Sequence, residues 1–274
     1  MLATTVIEVD GRAARVSCRA PTAGAPTVLF LPGYPDTLQV FARACAALEA
    51  GTGYLALDFP GQGGSERSRD PTFAPEARAR WIVQVLARLE VGRVVVFAHD
   101  MGAHAALELA LLTGARVSAL VVANALLDGM ARTSRTIALL RRARAYRVLL
   151  PAFPGRVVAH SIAGFLPRGA PLSPAVQQDI ESAFSRTAAV VTGRVCDAAE
   201  VWLARGLERF RSLRMPLTLL WGSAEQHFPR VHAEALATVI DQARVVDVPG
   251  GHHWLVWHDP DAVVRQVQAL TVRC

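Results

Sequence analysis

Apolar and polar residues alternate along residues 4–19 around Asp10-Gly11, the pattern of two antiparallel strands joined by a two-residue turn. After this lead-in the pattern changes to short apolar runs, each followed by apolar positions at helical spacing. Residues 27–31 are the first such run, closed by Pro32-Gly33, and residues 38–50 carry the helical spacing. The unit recurs with a strand at 54–59, a Pro60-Gly61-Gln62-Gly63-Gly64-Ser65 loop, and a helix at 75–90 that opens on proline. It recurs again with a strand at 93–98, a helix at 102–113 and a strand at 117–125. Strands and helices alternating at this spacing predict an α/β protein, a mostly parallel sheet covered by helices on both faces.

From about residue 126 the strand signals stop. Ala- and Arg-rich helical stretches punctuated by Pro151, Pro154, Pro167, Pro171 and Pro174 predict an inserted helical domain. Strands at 217–221 and 244–248 and helices at 229–240 and 259–272 then resume the earlier pattern. The expected organisation is a core over 1–125, a helical insertion over 126–213 and the second part of the core over 214–274.

Composition narrows the function classes. Of 274 residues, 52% are hydrophobic and 19% charged, which supplies a large core and excludes a disordered chain. A formal charge of +6 raises the question of a polyanionic partner. Every basic residue is arginine, and eight of them (Arg132, Arg135, Arg141, Arg142, Arg144, Arg147, Arg156 and Arg168) fall between Gly129 and Gln178, where there is no Asp or Glu. That stretch carries +8 and the rest of the chain −2. The basicity is thus local to the insertion, and nucleic acid is not the expected partner. A solvated helix face accounts for it, and so does steering of an anionic substrate or docking of an acidic carrier protein. The cysteines Cys18, Cys45, Cys196 and Cys274 are scattered, without a CxxC pair or a short spacing to histidine, so no metal site is expected. There is no phosphate-binding or dinucleotide-binding glycine motif, and no cofactor is implied. Without a signal-peptide pattern or an apolar run of about 18 residues, the expectation is a cytoplasmic protein with no membrane association. The oligomeric state is not fixed by any feature of the chain.

The chemistry is carried by three segments. In Val94-Val95-Val96-Phe97-Ala98-His99-Asp100-Met101-Gly102 an apolar strand runs through small-x-Asp-x-small directly into a helix. Small residues two positions either side of Asp100 suit a sharp strand-to-helix turn that presents the central side chain as a nucleophile; a simple helix cap explains the acid equally well. The strand at 217–221 ends in Trp221-Gly222 and is followed by Glu225. The strand at 244–248 ends in Pro249-Gly250-Gly251 and is followed by His252-His253. Nucleophile, acid and histidine in this order, each at the carboxyl end of a strand, is where open α/β sheets build sites. His99 reads as a hydrogen-bonded core histidine; His104 and His227 are weak candidates for a ligand role.

Together these segments resemble the α/β-hydrolase superfamily over nearly the whole chain. The His99-Asp100 turn resembles its aspartate-nucleophile branch, the epoxide hydrolases and haloalkane dehalogenases. Leu31-Pro32-Gly33-Tyr34-Pro35 is similar to the His-Gly-x-Pro turn of that branch, with Pro32 in place of His, and residues 58–65 are similar to its glycine-rich loop. The resemblance implies an eight-stranded α/β-hydrolase fold with the insertion as a cap. It implies Asp100 as nucleophile, His253 as general base and Glu225 as the acid that orients it. The backbone N–H groups of Tyr34 and Met101 would then form an oxyanion hole. His253 is favoured over His252 because Trp254 follows it and Pro260, seven residues on, opens the last helix as in the family.

A carboxylate is ionised near neutral pH and can displace a leaving group from saturated carbon, giving an ester that a histidine-activated water hydrolyses. Epoxide hydrolases support the opening oxygen with cap tyrosines, for which Tyr146 and His160 are the candidates here. Dehalogenases usually place Trp after the nucleophile, where this chain has Met101. The leading expectation is therefore an epoxide hydrolase acting on a small, mostly apolar substrate. Dehalogenation, β-lactone chemistry and a non-catalytic binding protein on the same fold are the alternatives.

Overall fold

The structure, a computed structural model, describes residues 1–66, 73–114, 116–142, 164–167 and 170–271. Eight strands form one sheet: β1 (Thr5–Val9), β2 (Arg12–Arg19), β3 (Thr27–Leu31), β4 (Gly53–Leu57), β5 (Val94–His99), β6 (Val117–Ala123), β7 (Leu217–Gly222) and β8 (Ala243–Val248). Their spatial order is β1-β2-β4-β3-β5-β6-β7-β8. The sheet is mixed, antiparallel where β2 meets β1 and β4, and parallel from β4 through to β8. The β1–β2 turn places Asp10 at φ 54° and Gly11 at φ 69°, the two left-handed residues that a tight hairpin needs.

Strands β3, β5, β6 and β7 are buried along their whole length, as continuous apolar runs require. Their period-two alternation divides the core into two layers. Leu29, Leu31, Val94, Val96 and Ala98 face one side with α2 (Pro75–Arg88) and α3 (Gly102–Thr113). Val28, Phe30, Val95 and Phe97 face the other side, with α1 (Ala42–Ala47) and the C-terminal helix over Pro260–Thr271. Between β6 and β7 the described residues include α4 (Arg135–Arg142) and the long α5 (Pro174–Leu203), which Ser173 caps through Val176 N–H at 3.4 Å. After β7 come α6 (Val231–Ala237), α7 (Leu255–His258) and α8, the C-terminal helix just named. Among the described residues no helix is long and apolar enough to cross a membrane.

Three local expectations need correction. The helix at 38–50 is instead a 3-10 turn over Leu38–Phe41 followed by the short α1, because Thr37 accepts the Gln39 N–H and tightens the first turn. Strand β4 stops at Leu57 rather than at 59; the Asp58 N–H still donates to the Arg15 carbonyl on β2, while its carboxylate turns to the N–H groups of Leu38 and Gly64. The helix expected at 229–240 spans only α6.

His104 on α3 shows how α5 is fastened to the core. Its ring stacks on Trp202 at 3.9 Å, and Nε2 donates to the Leu126 carbonyl at 2.5 Å. Burial brings this imidazole down to about 4, so it is neutral at physiological pH. Unfolding exposes it to protonation below about 6.5, so the folded state loses stability as pH falls from 6.5 towards 4. The loss attributable to His104 is of order 3 kcal/mol. Urea denaturation at pH 7 and pH 4.5 should show a smaller acid loss for His104→Gln than for the parent chain.

Candidate active site

Asp100 follows β5 at φ 50°, a left-handed conformation that costs an L residue about 1–3 kcal/mol and persists only where surrounding packing enforces it. Two glycines provide that packing. A Cβ on Gly33 would fall 2.5 Å from Asp100 Cβ, and one on Gly102 would fall 2.5 Å from the Leu31 carbonyl oxygen. The start of α3 therefore lies directly against the end of β3. Asp100 N–H donates to the Ala123 carbonyl at the tip of β6 at 3.2 Å. Its side chain is nearly buried, and among the described residues Oδ1 has no hydrogen-bond donor.

Glu225 lies in the loop after β7. Its Oε1 accepts the His227 and Phe228 N–H groups at 2.5 and 3.1 Å, and Oε2 meets His253 Nδ1 at 2.7 Å. His253 Nε2 faces Asp100 Oδ2 at 3.8 Å. The three side chains therefore form a line from the tip of β5 to the loop after β7. Burial would raise the Glu225 carboxyl, but the His253 charge and hydrogen bond, helped by the two N–H groups, bring it down to about 2. Burial also opposes charge on His253, yet Glu225 and then Asp100 push it up to about 10. Both shifts favour an imidazolium–carboxylate pair at His253 and Glu225.

The aromatic rings of His99, Phe165, His227 and Phe228 surround His253 at centroid distances of 4.7, 4.6, 5.4 and 5.5 Å. His227 also bonds Ser134 Oγ through Nδ1 at 3.0 Å, and burial followed by the His253 charge brings it down to about 4, leaving it neutral. His252 lies elsewhere, its ring 6.0 Å from that of His258. Tyr34, which is joined to Pro35 by a cis peptide, packs with Met101, Phe73, Val195 and Ala198 in an apolar cluster beside Asp100. Tyr146 and His160 fall outside the described residues.

Two polar residues that the sequence reading passed over hold the histidine loop. Asn124, at φ 42° after β6, donates through Nδ2 to the carbonyls of His252 and His253 at 2.8 and 2.9 Å. Its Oδ1 accepts Gly222 N–H at 3.0 Å. His99 bonds the His253 carbonyl through Nε2 and Asp36 Oδ2 through Nδ1, both at 3.0 Å. Asn124 had a legible signal, a polar residue ending an apolar strand beside the other site-bearing tips. Asp36 had none, since its partner is 63 residues away.

A family profile for the alpha/beta hydrolase fold matches residues 26–260, and the chain belongs to that family. LipZ of Mycobacterium tuberculosis, provisionally named a hydrolase, is 35% identical over 95 residues, which are 35% of this chain. That match spans only 33% of LipZ. The uncharacterized hydrolase YNR064C of Saccharomyces cerevisiae is 23% identical over 260 residues and 87% of each chain. Among solved structures, Cfl2 of Burkholderia cenocepacia superposes with a TM-score of 0.85 at 19% identity over 98% of this chain and 95% of its own. The epoxide hydrolase VrEH1 of Vigna radiata superposes at 0.79 and 18% identity over 100% and 98%. At such identities the structural likeness defines the shared fold.

Asn124→Ala removes two donors and one acceptor from buried loop carbonyls and an N–H. It should cost about 2–3 kcal/mol in chemical denaturation.

Proposed function

We propose that this hydrolase opens epoxides through a covalent ester on Asp100 and then hydrolyses that ester to a diol. The observation that carries the reading is an aspartate, rather than a serine, at the left-handed strand-to-helix turn and in line with the His253–Glu225 pair. Its carboxylate supplies the lone pair for attack on saturated carbon. As the Asp100–carbon bond forms, the ring carbon–oxygen bond breaks and the released oxygen needs a proton. The His253 imidazolium is one source for it within the described site; Tyr146 and His160 are the candidates outside it.

Ester formation also changes the electrostatics. It removes the Asp100 charge that helps keep His253 protonated, so His253 becomes a base once there is an ester to hydrolyse. Water then loses a proton to His253 and attacks the ester carbonyl, with Glu225 fixing the imidazole tautomer. The Tyr34 and Met101 N–H groups hold the tetrahedral oxyanion, where one lost donor costs roughly 3 kcal/mol. Residues 126–213 act as the cap that covers this site. The apolar cluster of Tyr34, Phe73, Met101 and Val195 suits an apolar substrate. The fold shared with VrEH1 is consistent with this reading. Dehalogenation uses the same ester, but Met101 offers no side-chain N–H to a departing halide. Of the eight arginines that would favour an anionic substrate, Arg144, Arg147, Arg156 and Arg168 lie outside the described residues.

His253→Gln incubated with styrene oxide should accumulate protein heavier by one epoxide in intact-mass spectra, with the adduct on the peptide containing Asp100. Absence of any adduct across a panel of styrene-type and aliphatic epoxides would contradict the reading. Asp100→Asn should form none.

A further inference from the structure

The loop after β3, which carries Tyr34, is held from three directions. Asp36 is bonded to His99 in the core at 3.0 Å. Leu38 N–H donates to Asp58 Oδ1 at 2.7 Å. Between these two, Thr37 Oγ1 donates to Asp179 Oδ2 at 2.7 Å. Asp179 belongs to α5, in the segment 126–213, and is 142 residues from Thr37 in sequence. Its carboxylate also receives a two-pronged bond from Arg15 Nη1 and Nη2 at 2.7 and 2.9 Å. Arg15, on β2, reaches through Nε to the fully buried Asp58 at 2.5 Å. One guanidinium thus ties α5 to the same carboxylate that anchors Leu38.

We propose that Asp179 is a positioning residue that couples the seating of α5 to the Tyr34 loop, so that the Tyr34 oxyanion donor reaches its working geometry only when α5 is docked. The inference rests on the ester mechanism above for its catalytic consequence. Its structural part stands on the contacts alone. Without α5, the loop keeps its core contacts at Asp36 and Leu38 but loses the Thr37–Asp179 bond together with the packing of Tyr34 against Phe184 and the Val195 cluster. Two-pronged Arg–carboxylate bonds fix orientation as well as distance, so Asp179 transmits the placement of α5 and does more than add attraction.

The coupling predicts a step-specific defect. A tetrahedral oxyanion exists only during ester breakdown, whereas ester formation is a displacement at saturated carbon and places no charge in that hole. Asp179→Ala and Thr37→Val should slow decay of the styrene oxide ester about tenfold while changing its formation less than about twofold. Rapid quench followed by intact-mass measurement reads both rates, and the ester should accumulate. Equal loss in both steps, or no change in decay, would overturn the proposal. Thr37→Val, which exchanges a hydroxyl for a methyl, keeps the test available if Asp179→Ala folds poorly.

Backbone amide exchange provides an arm independent of the chemistry. In Asp179→Ala, residues 33–38 should exchange about tenfold faster while β6 is unchanged. Unaltered exchange at 33–38 would refute the coupling even if the ester mechanism holds. If the parent chain forms no ester, the mechanism falls, and the exchange result still decides whether α5 positions the loop.

Discussion

Asp100 keeps a backbone conformation that an isolated aspartate avoids, and it does so because the β3 end and the α3 start leave no alternative path. Gly33 and Gly102 are the two places where a side chain would collide with this arrangement. That close approach holds Asp100 where its Oδ2 faces His253 Nε2 at 3.8 Å. The cost of the left-handed turn is offset by the buried sheet beneath it, where β3, β5, β6 and β7 contribute no exposed residue. A rigid strained turn on a rigid sheet is a common way of presenting a reactive group.

The electrostatics follow from the same placement. Two carboxylates share one buried imidazole, and the pair Glu225–His253 is strong because it is closed from water and because backbone N–H groups neutralise the far oxygen of Glu225. Asp100 is the more distant partner, at 3.8 Å. Loss of its charge on esterification would leave Glu225 as the only carboxylate facing His253 among the described residues. Under the proposed mechanism, the chemical state of Asp100 sets whether His253 holds or accepts a proton, without any movement of the chain.

Much of the fold was legible because it is local. The Asp10-Gly11 hairpin, the bounds of β3 and α3, and the order of strands and helices all follow from turn residues and periodicity within a few positions. The convergence of Asp100, Glu225 and His253 was legible for a different reason: strand tips of a parallel sheet lie at one edge, so residues just after them must meet. What sequence could not supply were contacts between lone polar residues far apart in the chain. Asp36 with His99 and Arg15 with Asp179 span 63 and 164 residues. No periodicity connects such pairs. The partners of the Asp58 carboxylate just after β4 belong with them, since the pattern of apolar residues does not encode them.

The central claim is that a bond forms between substrate carbon and Asp100 and is then broken at the carboxyl carbon. A single turnover of excess protein with an epoxide in water enriched in heavy oxygen tests it most directly. Hydrolysis at the ester carbonyl places the label in the Asp100 carboxylate and leaves the first-formed diol unlabelled. Label found in the diol with none in the peptide containing Asp100 would mean that water attacks the ring itself, and the covalent account would be wrong.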